Sequence, residues 1–361
     1  MKRFFCLMFA LMLLLSACGA PAQPETEEET PVQTEPDVQE EQTTEPPAEQ
    51  SKYFNPLTGL PTEKDISRQK PVAIMLNNIS VAMPQQGNSK ADIIYEVLAE
   101  GGITRMIGIY QDISDLGVVG SVRSARLSFL ELALGHDAVY VHAGGSPEFY
   151  SYAGQWGVST VDGVNGPYAY ANAGLFWRDA HRVAGKNYAY EHSLITSGEN
   201  LTKVLGERGV LGDHKDGYTY EMRFAPDETP ADGQNAEKVT VPFSTSKSTS
   251  FCYDEQSGTY LVEEHGGAYI DGNDGTQVSV SNVLVLKTKC TVVDSAGRNT
   301  VDLSRGNGWY ICGGKYIPIT WEKGERGQYL RYFTSDGQPL TLRQGKSYVC
   351  IIPLEREIKA E

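Results

Sequence analysis

Four arginines, two histidines and a handful of amides and carboxylates carry the chemistry this chain could do. Arg123 and Arg126 lie three apart in Gly-Ser-Val-Arg-Ser-Ala-Arg (120–126), and Arg178 and Arg182 bracket Asp179 and His181. Arginine grips carboxylate or phosphate with a planar two-pronged fork, so a convergent set would form an anion site. Ser121, Asn77 and Asn78 could add hydrogen bonds there, and Trp177 an apolar face. His142 and His192 are candidate bases, with Asp179 or Glu148 placed to orient one of them. Glu96, Glu100 and Arg105 read as a paired structural face rather than a catalytic set. Against the ligand reading of the arginines stands a plainer one, in which each meets a neighbouring carboxylate. The chain has no Gly-x-Ser-x-Gly elbow and no His-Glu-x-x-His helix, and its first folded domain has no cysteine. No phosphate loop or metal-site histidine spacing occurs either, so neither a metal nor a cofactor is expected.

The segments that must position these residues follow α/β grammar. Gly120 and Ser121 read as a turn and helix cap, which places Arg123 and Arg126 in a first helical turn. Leu127, Leu130 and Leu134 supply one buried helical face, and Gly135 ends it. Residues 138–141 form a short apolar strand, and Gly144-Gly145-Ser146-Pro147 turns into a helix capped by Ser146. Two arginines at a helix start oppose its dipole, so something negative must compensate them. Upstream, residues 71–78 read as a buried strand ending in the two amides, a position where α/β sheets place ligands. Ser89 could cap a segment running to Gly101-Gly102; as a helix it would carry Glu96 and Glu100 on one face. A strand over 103–110 comes next.

The amino terminus reads as an address. Lys2 and Arg3 precede an apolar run from Phe4 to Leu15, too short to span a bilayer comfortably. The run ends in Leu15-Ser16-Ala17-Cys18, which resembles a bacterial lipobox; Cys18 would then be acylated and become the first residue of the mature chain. Residues 19–51 hold ten Asp/Glu and six Pro with no basic residue, a composition that stays extended and tethers the folded body. Of the net charge of −15, the leader contributes +2 and this tether −10, which leaves −7 for residues 52–361. Nucleic acid is therefore excluded as a natural partner. The expected location is the outer face of the cytoplasmic membrane, with the lipid membrane as partner through acylated Cys18.

Ser-Lys-Ala-Asp-Ile-Ile-Tyr-Glu (89–96), Glu-Gly-Gly-Ile-Thr-Arg (100–105), the 120–126 stretch, Tyr-Val-His-Ala-Gly-Gly-Ser-Pro-Glu (140–148) and Phe-Trp-Arg-Asp (176–179) resemble one family, the bacterial lipoproteins typified by YerB. The second half resembles it too, through Asn-Val-Leu-Val-Leu (282–286), Lys-Tyr-Ile-Pro-Ile-Thr-Trp (315–321) and Gly-Lys-Ser-Tyr-Val-Cys-Ile-Ile-Pro (345–353). One departure is Glu191-His192-Ser193, where the family tends to have a His-Asn pair; that weakens any role needing the amide. The resemblance implies a two-domain, membrane-tethered protein found mainly in Gram-positive bacteria, and supplies no activity.

The expected architecture is an α/β or α+β domain over 52–230 and a mainly-β domain, sandwich or small barrel, over 235–361. The break falls in the Pro- and acid-rich 225–233 stretch. Beyond it come short strands with turn punctuation, including a hairpin over 309–320 turning at Gly313-Gly314. Cys252, Cys290, Cys312 and Cys350 could form up to two disulfides or sit reduced in the core. Ten aromatics crowd residues 149–190, among them Trp156, Trp177, Tyr188 and Tyr190, and are read either as loop packing or as a sugar-binding surface. Together these features lead us to expect a binding or scaffolding lipoprotein that recognises an anionic or sugar-containing envelope polymer, or an envelope protein. The alternative is an envelope hydrolase or transferase using His142 or His192 beside an arginine-lined anion site.

Overall fold

Strands Val72–Leu76, Ile93–Leu98, Thr104–Tyr110 and Ser347–Pro353 are near-continuous apolar runs, and every residue in them is buried. Such runs belong to a sheet covered on both faces. A computed structural model describes residues 51–182, 184 and 190–361; the leader, Cys18, nearly all of the tether and Tyr188 lie outside the described residues. It shows eleven strands in one mixed sheet. From one edge these run Gln234–Asn235, Lys315–Lys323, Arg305–Cys312, Asn282–Thr288, Ser347–Pro353, Ile93–Leu98, Thr104–Tyr110, Val72–Leu76, Val139–His142 and Val161–Asp162. Leu330–Thr334 pairs with Lys315–Lys323 off this path.

The amino-terminal half is mixed α and β and the carboxy-terminal half mainly β, yet both feed this one sheet. Ser347–Pro353 lies parallel to Ile93–Leu98, with Ser347 opposite Ile93 and Ile351 opposite Val97. Both halves belong to one compact unit. The 223–236 stretch contributes strands of its own: Arg223–Ala225 runs parallel to Thr341–Arg343, and Gln234–Asn235 forms the sheet edge.

Period-two alternation sorts the core into two layers. Ile74, Ile94, Val283, Val285, Tyr348 and Cys350 face a second, six-stranded sheet that supplies Val239, Val241, Phe251, Tyr260 and Val262. Met75, Tyr95, Leu284 and Ile351 face the other way, against Phe129, Leu130, Ala133 and Phe149 of two helices. Those helices are α1 (Leu127–Gly135) and α2 (Pro147–Gln155). Ser146 caps α2 as expected, its hydroxyl accepting from Phe149 N with Pro147 first in the helix.

Three sequence expectations are corrected. Residues 93–98 are a strand, because Ile93, Ile94, Tyr95 and Val97 pair on both sides; Glu96 and Glu100 therefore share no helical face. Helix α1 starts at Leu127, so Arg126 is its cap residue and Arg123 precedes it in extended chain; Ser121 caps nothing. The buried side of α1 is Phe129, Leu130, Leu132 and Ala133, with Leu127 and Leu134 only half-buried. The four described cysteines are free thiols, Cys312 and Cys350 buried in the core.

Candidate functional site

The site is built on a small three-stranded sheet, Val118–Gly120, Leu194–Ser197 and Trp177–Arg178, with the middle strand antiparallel to both neighbours. Gly120 has φ +148°, and a Cβ there would lie 2.6 Å from the Ile195 side chain, so glycine permits this close pairing. Asn77, at the end of Val72–Leu76, is tied to the same sheet. Its N–H donates to Ser121 O at 3.1 Å, and its Nδ2 to Ser121 Oγ at 3.1 Å.

Asn77 Nδ2 also lies 3.0 Å from His192 Nδ1. An amide nitrogen only donates, so Nδ1 is the acceptor and the ring proton sits on Nε2. His192 is 6% exposed. Its pKa is lowered first by burial and then by the charge of Arg123, with smaller pushes from Arg182 and Arg105; Glu191 opposes them. The ring is thus a neutral imidazole with a fixed donor. It lines an open groove of about 570 Å3 together with Gln86, Asp179, His181, Arg182, Gly272 and residues 82–84. Arg182 sits on the rim, donating to Gln86 Oε1 at 2.7 Å and to the carbonyls of Ala82 and Pro84 at 3.0 and 3.1 Å.

The remaining arginines divide. Arg123 donates to Glu191 Oε1 at 3.1 Å and to its carbonyl at 3.3 Å. Arg126 engages both Glu100 oxygens through Nη2 and Nε, at 2.8 to 3.1 Å, and Arg105 ion-pairs with Glu100 from the other side. One carboxylate thus serves two guanidinium groups, and the cluster stays net positive. Salt bridging is therefore the main fate of Arg123 and Arg126, and neither lines the His192 groove. Arg178 is stacked between Tyr170 and Tyr190, 4.9 and 4.4 Å from the ring centres. Trp177, its neighbour on the strand, lines a different opening with Ser114, Asp115 and Glu199.

Asn78 is corrected more sharply. Successive strand residues face opposite ways, so while Asn77 reaches His192, Asn78 turns inward and donates to Glu96 Oε1 at 2.8 Å. Glu96 is fully buried and also accepts from Thr104, Lys247, Thr249 and Tyr348, the last at 2.8 Å. Lys247 pairs with Glu264 as well. Neither Lys247 nor Glu264 carries any sequence signal beyond alternation in a strand-rich stretch.

His142 is also corrected. It is completely buried, with Nδ1 2.9 Å from Gly144 O and Nε2 2.9 Å from Thr160 Oγ1. Phe149 lies edge-on at 4.9 Å, and burial lowers the ring's pKa. His142 therefore belongs to the core and meets neither Asp179 nor the groove. Of the predicted residues, His192, Asp179 and Arg182 line the groove, Asn77 and Ser121 stand behind it, and Arg123 and Arg105 bear on it through their charge. Sequence reasoning missed Gln86 and Gly272, which adjoin the groove through ordinary turns.

Comparison with known proteins agrees with this architecture. Residues 57–211 match the N-terminal domain, and residues 239–349 the C-terminal domain, of the protein of unknown function DUF3048. The chain is 31% identical over 303 residues to the Bacillus subtilis (strain 168) protein named "Putative lipoprotein YerB", covering 82% of this chain and 86% of that one. It is also similar to the crystal structure of the YerB protein from Bacillus subtilis, with a TM-score of 0.72 at 28% identity over 85% of this chain and 99% of that one.

Proposed function

The chain belongs to the DUF3048 family, and on that footing we propose that it is a lipid-anchored binding protein whose His192 groove takes an anionic, sugar-bearing envelope polymer. The lipoprotein part is supported by the name of the Bacillus subtilis relative and by the lipobox-like residues 15–18. Among the described residues no helix is long and apolar enough to cross a membrane. Acyl chains on Cys18 would hold the chain at the outer face of the cytoplasmic membrane. A tether of 33 residues has a typical span of about 30 Å, which keeps the groove next to that membrane.

One observation carries the binding reading: Asn77 fixes the His192 proton on Nε2 inside an open groove rimmed by Arg182. An N–H donor and a guanidinium in one groove favour a negatively charged guest, against the carboxylate of Asp179 on the same lining. The same geometry disfavours the hydrolase or transferase alternative. A base needs a vacant nitrogen lone pair, whereas Nδ1 of His192 already accepts from Asn77 and His142 is sealed in the core.

The test is titration of the full chain with oligomers of glycerol phosphate. Binding should weaken as salt rises, and Arg182→Gln or His192→Ala should each cost about tenfold in affinity without loss of fold. No retention at low salt, or unchanged affinity in both variants, would refute the groove reading. For the anchor, Cys18→Ala should leave the membrane fraction; persistence there after an alkaline wash would refute it.

A further inference from the structure

We propose that the groove is one end of a longer track, whose other end is a sugar-ring subsite on the indole of Trp177; this rests on the groove reading above. The second opening, about 980 Å3, is lined by Trp177, Ser114, Asp115, Gly117, Val118 and the start of α3 (Gly198–Glu207). The two openings lie at opposite ends of the same small sheet. His192 precedes the Leu194–Ser197 strand and Ser197 ends it, a run of roughly 15 Å. One phosphate or one sugar cannot touch both.

One exposed side chain links the two openings. Asn273, exposed on the carboxy-terminal half, accepts from Gln86 Nε2 of the groove at 3.4 Å. It donates through Nδ2 to Val118 O of the second opening at 2.9 Å. A Cβ on Gly117 would lie 3.4 Å from that amide, so Asn273 packs against the rim of the second opening while bonding to the groove. An extended ligand fits this shape better than a compact one.

The chemistry of the two ends differs. At the groove end sit Arg182 and the His192 donor. At the far end sit a half-buried indole, Ser114, and the exposed carboxylates Asp115 and Glu199, with Lys90 3.2 Å from Asp115. A flat aromatic face beside carboxylate and hydroxyl acceptors suits the apolar face and donor hydroxyls of a sugar ring. Among the described residues the far end has two carboxylates and no arginine, whereas the groove sets Arg182 beside its one carboxylate, Asp179, so the anion is directed to the groove. The ligand class is therefore a phosphate-linked polymer that carries sugar substituents.

The experiment compares three probes on the full chain by calorimetry: inorganic phosphate, bare glycerol-phosphate oligomers, and glycosylated oligomers of equal length. The wild type should bind the glycosylated oligomer about tenfold tighter than the bare one. Trp177→Ala should erase that difference while leaving the bare oligomer unchanged, and Trp177→Phe should keep most of it. Glu199→Gln, at an exposed position, should reduce the difference about threefold without touching the fold. Equal binding of both oligomers, or a difference that survives Trp177→Ala, would overturn the subsite while leaving the groove standing. Loss of the difference on adding tetramethylammonium would also overturn it, because the indole would then be a cation site. Failure of the wild type to bind the bare oligomer would sink the groove and the subsite together.

Discussion

Glu96 and Glu100 are four residues apart, and each sits at the centre of a charge cluster that neutralises it differently. Around Glu96 every oxygen is spoken for. Asn78, Thr104 and Lys247 approach Oε1, and Thr249 and Tyr348 approach Oε2. Thr249 and Tyr348 each have one proton but touch both Glu96 and Glu264. A proton on Glu264 completes the set by donating back to a hydroxyl. Burial, then the charge of Glu96, accordingly pushes the Glu264 pKa up to about 8. Burial pushes the Glu96 carboxyl up too, but Lys247 and its hydrogen bonds more than offset this and leave it below the usual range.

Around Glu100 the balance tips the other way. One partly exposed carboxylate meets Arg105 and Arg126, Arg123 leans on exposed Glu191, and Arg182 rests on carbonyls. Arg105 and Arg126 share that one carboxylate, and Arg105 and Arg123 bear by their charge on His192, in a groove that Asp179 also lines. The same residue types thus lock the two sheets together around Glu96, and around Glu100 set the charge beside the groove for which we propose an anionic guest.

The contrast can be broken at the interior first. Lys247→Met should leave the buried Glu96 carboxylate without its cation, beside protonated Glu264, and cost about 3–5 kcal/mol in urea unfolding. Adding Glu96→Gln, which removes the stranded charge, should recover much of that loss; a single variant as stable as the wild type would mean that the cluster contributes nothing. Next in size, Glu100→Gln strips the shared partner from Arg105, whose side chain is 5% exposed, and should cost about 1.5–3 kcal/mol. Anion affinity at the groove should hold or rise, since a negative charge has been removed; a fall in affinity would place Glu100 in the ligand site.

A third change sharpens the comparison through pH. Glu264 holds its proton when folded up to about pH 8 but releases it near 4.5 when unfolded, so folding takes up a proton between those values. The contribution is complete at lower pH and is lost as pH rises through about 8. Glu264→Gln cannot lose a proton, so its melting temperature should decline less than that of the wild type across this window. Parallel curves would show that Glu264 is ionised when folded. The smallest expected effect is one of tautomer alone. Asn77→Asp puts a carboxylate against His192 Nδ1, which should draw the ring proton there and raise the His192 pKa. Nitrogen NMR of the ring reads this directly, and an unchanged Nε2–H form would contradict the Asn77–His192 link.

Much of this molecule is written locally. The apolar runs at 72–76 and 138–141, the Ser146-Pro147 helix start and the 309–320 hairpin all arise from neighbours in sequence. Composition likewise dictates an acidic, proline-rich stretch before the folded body, and Leu15-Ser16-Ala17-Cys18 carries its own chemistry. What sequence leaves open is which partners meet. Residues 93–98 become a strand because Ser347–Pro353 arrives parallel beside them from some 250 residues away. That pairing draws both halves into one sheet and brings Lys247 and Glu264 onto Glu96. Pleating then decides that Asn77 reaches His192 while Asn78 turns to the core. Local propensity is set within a few residues, but charge is neutralised across the fold, and only tertiary packing decides which carboxylate meets which cation.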